Sequence, residues 1–135
     1  MAGVAFGNAQ VGIVHAMAHS VGARFGVPHG TANSILLPHG MQFNLDSCPR
    51  YTLVADALGI PREGKSEEET GQCAIDEIKG FTKSIGMPQR LSDVQVPEEG
   101  LKEVAELSLY DGSLVYNPKP AFDAEIIEEI LKQAW

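Results

Sequence analysis

Apolar residues recur at three- and four-residue steps along nearly the whole chain, and this period is what most constrains its fold. Val11, Val14, Ala18, Val21 and Phe25 follow it and predict a first helix over about residues 5–25, closing near Gly26 and Pro28. A second helix is expected over about residues 30–45, where Ile35, Leu36, Leu37 and Met41 are dense enough to imply burial and Pro38 is placed to kink it. Residues 49–58 read as a short helix ending at Gly59. Ser66 and Glu69 have capping-box spacing ahead of a helix whose Ile75, Ile78, Phe81 and Ile85 mark one face, and Gly86 and Pro88 stop it. Pro97 opens another helix through about Leu107. Asp123 caps a last one, with Ile126, Ile127, Ile130 and Leu131 facing inward. The expected class is therefore an all-α, multi-helix domain.

A chain of 135 residues with 44% hydrophobic side chains can fill one sizeable core, so residues 1–135 are expected to form a single domain. The non-helical stretches Pro61 to Lys65 and Gln89 to Val96 are too short to be domain linkers. Glu67, Glu68 and Glu69 suit a solvated face at a helix N-terminus. The formal charge of −8 argues against a nucleic-acid or anionic-membrane partner. Cys48 and Cys73 lack Cys-x-x-Cys spacing and read as free thiols of a reducing compartment. With no run of about 18 apolar residues and no charged leader before an apolar stretch, a soluble, cytoplasmic protein is expected.

All 4 histidines fall between residues 15 and 39, and three of them cluster as His15, His19 and His29. On a helix, His15 and His19 project from one face a turn apart, and His29, between Pro28 and Gly30, sits on a turn able to fold back toward that face. An isolated pair would be read more readily as core histidines, but the concentration of every imidazole in one segment favours a site. Three neutral imidazoles suit zinc or iron(II), with a carboxylate commonly completing the shell. No acidic residue precedes Asp46, so that ligand is not local. A zincin needs Glu after the first histidine; Ala16 stands there, which excludes that peptidase chemistry.

The segments Ala2–Ala9, His15-Ala16-Met17-Ala18-His19, Gly22, Pro28-His29-Gly30, Leu36-Leu37-Pro38-His39-Gly40-Met41 and Asn44 together resemble the iron-containing (group III) alcohol dehydrogenases. The resemblance resumes at Arg90–Val94, at Val96–Glu99 and from Asn117 to Trp135, and so spans essentially the whole chain. It implies the helical, dehydroquinate synthase-like C-terminal half of a two-domain enzyme. The family's nucleotide-binding α/β domain and its aspartate metal ligand would then lie outside this sequence, which has no cofactor-binding motif of its own.

That resemblance implies roles for individual residues. His15 and His29 match the family's two C-terminal ligands for iron(II), with zinc as the other metal such a site could take. His19 matches a histidine near substrate and nicotinamide, suited to a proton relay or to a third ligand. His39 matches a non-ligand, so its role is structural. Phe25 and Ser113, the latter within Asp111-Gly112-Ser113, are candidate pocket residues. Lys119 stands where the family commonly has Arg, which would change any bidentate contact made there. The implied activity is NAD(P)-linked interconversion of a small alcohol and aldehyde by the full-length enzyme, with this chain inactive in isolation and prone to self-associate into homo-oligomers. The competing reading is a non-catalytic helical metal-binding or interaction module, such as a truncated gene product.

Overall fold

A computed structural model describes residues 1–135, apart from the side chain of Ala2. It contains seven α-helices and, among the described residues, no strand: α1 (Ala2–Ala9), α2 (Ile13–Phe25), α3 (His29–Asn44), α4 (Tyr51–Ala57), α5 (Glu67–Ser84), α6 (Leu101–Ser108) and α7 (Ala124–Gln133), with short 3-10 turns at Leu45–Ser47, Ser92–Val94, Glu98–Gly100 and Gly112–Tyr116.

α2 is the central element. Ile13, Ala16, Met17 and Val21 on its inner face meet Ala32, Ile35 and Leu36 of α3, Leu101, Val104 and Ala105 of α6, and Leu114, with Ile127 and Leu131 of α7 completing the core. α3 returns antiparallel to α2 because α2 stops at Gly26, whose φ of 70° is the left-handed value that glycine adopts without strain. The two helices then come close enough at Gly40 that a Cβ there would lie 2.4 Å from Val14 Cγ2. α4 and α5 form a hairpin that leans on the end of α3 at Gly71, where a Cβ would lie 2.7 Å from Leu45 Cδ1. The C-terminus is tied down by hydrogen bonds from the Trp135 indole to the Val96 carbonyl (2.8 Å) and from the Ser92 hydroxyl to the Trp135 carbonyl (2.7 Å).

The structure departs from the periodic reading in four places. The single helix expected over about residues 5–25 is two helices, broken at Gln10, which has a φ of 62°. The break has a tertiary cause: the Ile13 amide donates to Asn117 Oδ1 (3.2 Å), and a Cβ on Gly12 would sit 2.7 Å from that oxygen. Of the face assigned to α5, Ile75 is buried, whereas Phe81 and Ile85 are 59% and 58% exposed. The helical period was right, but no neighbour covers the C-terminal end of that stripe. Ile126 of α7 is likewise exposed while Ile127, Ile130 and Leu131 are buried. The helix expected from Pro97 begins instead as the 3-10 turn Glu98–Gly100, with α6 proper starting at Leu101, while Pro38 is buried within α3. The two expected caps are present: Ser66 accepts from the Glu69 amide (3.2 Å) while Glu69 accepts from the Ser66 amide (2.7 Å), and Asp123 accepts from the Glu125 amide (2.9 Å).

Asn117 links three elements through its amide. Besides capturing the first amide of α2, it forms a reciprocal pair with Asn44 at the end of α3 (3.0 and 2.7 Å) and donates to the Lys119 carbonyl (2.7 Å). Truncation would strand the buried Asn44 amide and the Ile13 N–H. Asn117→Ala should therefore lower the unfolding free energy by about 2 kcal/mol or more, read as a fall in the urea midpoint with an unchanged m-value.

Candidate functional site

The three clustered histidines converge where α2 meets the start of α3. His15 and His19 occupy successive turns of α2, and His29 is the first residue of α3, delivered across by the Gly26–Pro28 turn. Ring centroids are 5.8 Å apart for His15–His19, 5.4 Å for His15–His29 and 5.2 Å for His19–His29. Two imidazoles sharing one tetrahedral metal at ordinary bond lengths have centroids about 5 Å apart, and all three spacings are near that value. Among the described residues, no three His, Cys, Asp or Glu side chains are arranged as a complete metal-holding group.

A carboxylate does reach the cluster, from far along the chain. Asp111, which caps the Gly112–Tyr116 turn, accepts from the Ser113 amide through Oδ1 (2.8 Å) and meets His19 Nδ1 through Oδ2 (2.7 Å). Burial works to raise the Asp111 carboxyl, but the hydrogen bonds from Ser113 and His19 outweigh it and hold the group below its ordinary range. An ionised carboxylate can only accept, so the proton of that bond sits on Nδ1 of His19. In the neutral ring the Nε2 lone pair is then left free. His15 is pushed below its ordinary value, first by burial and then by the neighbouring His29 and His19. It is thereby held as a neutral imidazole with a free lone pair.

His29 lies beside Asn33, whose Nδ2 is 3.0 Å from His29 Nε2 and donates to the His29 carbonyl (2.9 Å). The Asn33 Oδ1 and Ser34 Oγ atoms are buried without a hydrogen-bond partner. Both residues line an open cavity of about 350 Å³ that His15 and His29 share with Val14 and Leu37. A second, larger cavity of about 480 Å³ with mostly apolar walls opens on the other side of His15, between Met41, Tyr51 and Asn117.

The remaining candidates divide. Ser113 is drawn into the site through its amide, which orients Asp111. Phe25 is not: its ring packs so closely on Gly100 that a Cβ there would lie 2.4 Å from Phe25 Cζ, and it lines neither of the cavities at His15 and His29. Lys119 pairs with Asp46 (2.7 Å) and lies 4.9 Å from the centre of the Phe43 ring. Asp111 is the carboxylate at the cluster that the sequence pattern does not single out. Its place within Asp111-Gly112-Ser113 was noticed, but its contact with His19 spans 92 positions, and no local pattern reports it.

His39 stands apart from the cluster, and burial, followed by the charge of Lys79, pushes it down from 6.5 to about 4. The folded state therefore excludes a proton that the unfolded chain binds. The stability this confers is complete above about pH 6.5 and is lost progressively as the pH falls toward about 4. His15 adds a smaller dependence of the same sign. The urea midpoint should thus fall between pH 7 and pH 4.5, and His39→Gln should flatten the slope without abolishing it.

Comparison with known proteins follows the same outline. Residues 1–135 match the family model described as Fe-containing alcohol dehydrogenase family, C-terminal. The chain is 40% identical over 136 aligned residues to 1,3-propanediol dehydrogenase of Citrobacter freundii, and 38% identical over 136 to lactaldehyde reductase of Escherichia coli K12. In both cases all of this chain aligns with 35% of the relative. NAD-dependent methanol dehydrogenase of Bacillus methanolicus is 33% identical over 135 residues, again across 35% of its length. The fold superimposes with a TM-score of 0.95 on a crystal structure of 1,3-propanediol oxidoreductase at 38% identity, covering 99% of this chain and 35% of that one. An alcohol dehydrogenase from Oenococcus oeni matches equally, with a TM-score of 0.95 at 33% identity. The chain thus spans about a third of the length of these relatives.

Proposed function

The chain belongs to the iron-containing alcohol dehydrogenase family, as its C-terminal domain, and from that premise we propose that it forms the metal-binding wall of an NAD(P)-linked enzyme interconverting a small alcohol and its aldehyde. The observation that carries this reading is the convergence of His15, His19 and His29 with ring centroids 5.2 to 5.8 Å apart. In it, His15 and His29 hold a divalent metal, iron(II) in keeping with the family and zinc by the chemistry of the donors. When bound, such a metal supplies Lewis-acid polarisation of the substrate oxygen, and the hydride chemistry belongs to the nicotinamide.

The chain's own residues then have separable tasks. Asp111 holds the His19 ring by its Nδ1–H and so presents Nε2 outward, where it can take a proton from a substrate hydroxyl or return one. His19 has a side chain 46% exposed, so the proton it takes has a direct path to water. The mostly apolar cavity beside His15 gives the pair an apolar flank. Nicotinamide binding falls to a partner region outside these residues, since the 135 residues contain no strand followed by a Gly-rich phosphate loop.

Two donors without a carboxylate give an incomplete chelate, and metal binding by these 135 residues alone should be weak. Calorimetric titration with iron(II) or zinc should show weak binding, further reduced by His15→Ala or His29→Ala. Tight stoichiometric binding that survives both substitutions would refute the ligand assignment. The same chain should give no NADH signal with a simple alcohol. In the full-length enzyme, Asp111→Asn should lower kcat by about tenfold or more, the range of a lost general acid–base partner, with metal content unchanged. The exposed Val4 and Phe6 of α1 and the open histidine face support self-association of the isolated domain. Light scattering should detect dimers or small oligomers at about 100 μM, the range in which weak contacts populate; a strictly monomeric chain would contradict this.

A further inference from the structure

Adjoining the histidine cavity at Ser34, a separate cavity of about 350 Å³ is lined by Ser34, Ile35, Pro38 and His39 of α3, Lys79 and Thr82 of α5, Gln89 and Arg90 of the following loop, and Gln133 of α7. Its titratable walls are His39, Lys79 and Arg90, and no carboxylate lines it. That is against the composition of the chain, in which 18 acidic residues outnumber 10 basic ones. Among the described residues, neither Lys79 nor Arg90 forms an ion pair, and the His39 ring has no hydrogen-bond partner.

Two carboxylates bonded to residues of its lining are engaged with backbone or side-chain amides. Asp93 accepts from the backbone amides of Gln89 (3.1 Å) and Arg90 (3.0 Å), and Glu129 accepts from Gln133 (3.3 Å). The Asp93 clamp also fixes the loop that presents Arg90. Gln89 is held in turn by its own bond to the Met87 carbonyl (2.7 Å). Two cations and a neutral imidazole from three separate elements thus face one enclosed space with their donors unused.

We propose that this cavity is a binding site for a small dianion of the phosphate type, held by Lys79, Arg90 and the ring N–H of His39. A guanidinium and an ammonium lining one cavity match the charge of such an ion, and charge-assisted hydrogen bonds of this kind are the strong ones. The volume exceeds that of a bare phosphate and leaves room for a short organic tail, so the dianion can be free phosphate or the head of a small phosphomonoester. Burial and then the charge of Lys79 hold His39 neutral, and a bound dianion would offset the second of these, so the His39 ring reports occupancy directly. The site is independent of the metal-binding reading, because it shares no histidine with that cluster and its test involves neither metal nor nicotinamide.

The test is a titration of the 135-residue chain at pH 7 with inorganic phosphate, and separately with glycerol phosphate, following the His39 ring resonances by NMR; His39→Gln assigns them. A saturable shift is expected, absent with chloride at the same ionic strength. Lys79→Ala and Arg90→Ala should each weaken it about tenfold, the loss of one charge-assisted hydrogen bond, while Lys102→Ala, a charge removed elsewhere on the surface, leaves it unchanged. Tighter binding of glycerol phosphate than of phosphate identifies a phosphomonoester as the ligand, and equal binding identifies the free ion; either supports the site. No saturable shift, or one that persists at full strength in the Lys79→Ala/Arg90→Ala double variant, overturns it.

Discussion

The clasp between α2 and the segment from Asp111 to Asn117 governs the geometry on which the rest of the site depends. At one end the Asn117 amide receives the first N–H of α2 and sets the point at which that helix begins. At the other, the Asp111 carboxylate grips His19, more than a turn further along the same helix. A helix held at two points along its length can neither slide nor rotate. The phase of His15 and His19 is thereby set by a remote segment as well as by the apolar face they share. The cost of starting α2 there is the break at Gln10 and the need for glycine at position 12, where any side chain would strike Asn117.

This arrangement explains why α1 and α2 are separate helices although their sequence reads as one. Helical period is indifferent to whether hydrogen bonding is continuous, and residues 10–12 carry no proline to announce a stop. What interrupts the helix is competition: the Asn117 side chain offers the Ile13 amide an acceptor, and capture there also closes the Asn44–Asn117 pair. The gain is a half-buried amide network with its partners satisfied, a type of feature that specifies one packing over others. α1 is left without a core-facing stripe and stands exposed.

The periodic pattern was sufficient for six helical segments, for both caps and for the pairing of His15 with His19 on one face, because each of these is a local property. The proline and glycine around His29 likewise announced a tight return, and it places His29 across from the pair. Tertiary facts were not legible. The exposure of Phe81 and Ile85 could not be read, since an apolar stripe does not say how far along it a neighbour extends. Nor could the pairing of Asp111 with His19, since no spacing rule links positions so far apart. The packing of Phe25 on Gly100 was illegible for the same reason: no local pattern reports a close backbone approach from a distant segment.

The two histidine environments show how one helix pair can hold imidazoles in opposite working states. Around His15, His19 and His29 the rings are close together and partly open to water. An ionised carboxylate fixes one tautomer, and two buried polar atoms on the adjacent turn of α3 stay unsatisfied, an arrangement that costs stability and is common where a structure is organised for binding. Further along α3, His39 is neutral because it is buried beside a lysine, which is an electrostatic rather than a hydrogen-bonding constraint. The first environment gains from a cation and the second from an anion. α3 carries both and is stapled to α2 at Gly40 and to Asn117 through Asn44. A charge placed in either is therefore felt by a rigid element rather than absorbed by a loop.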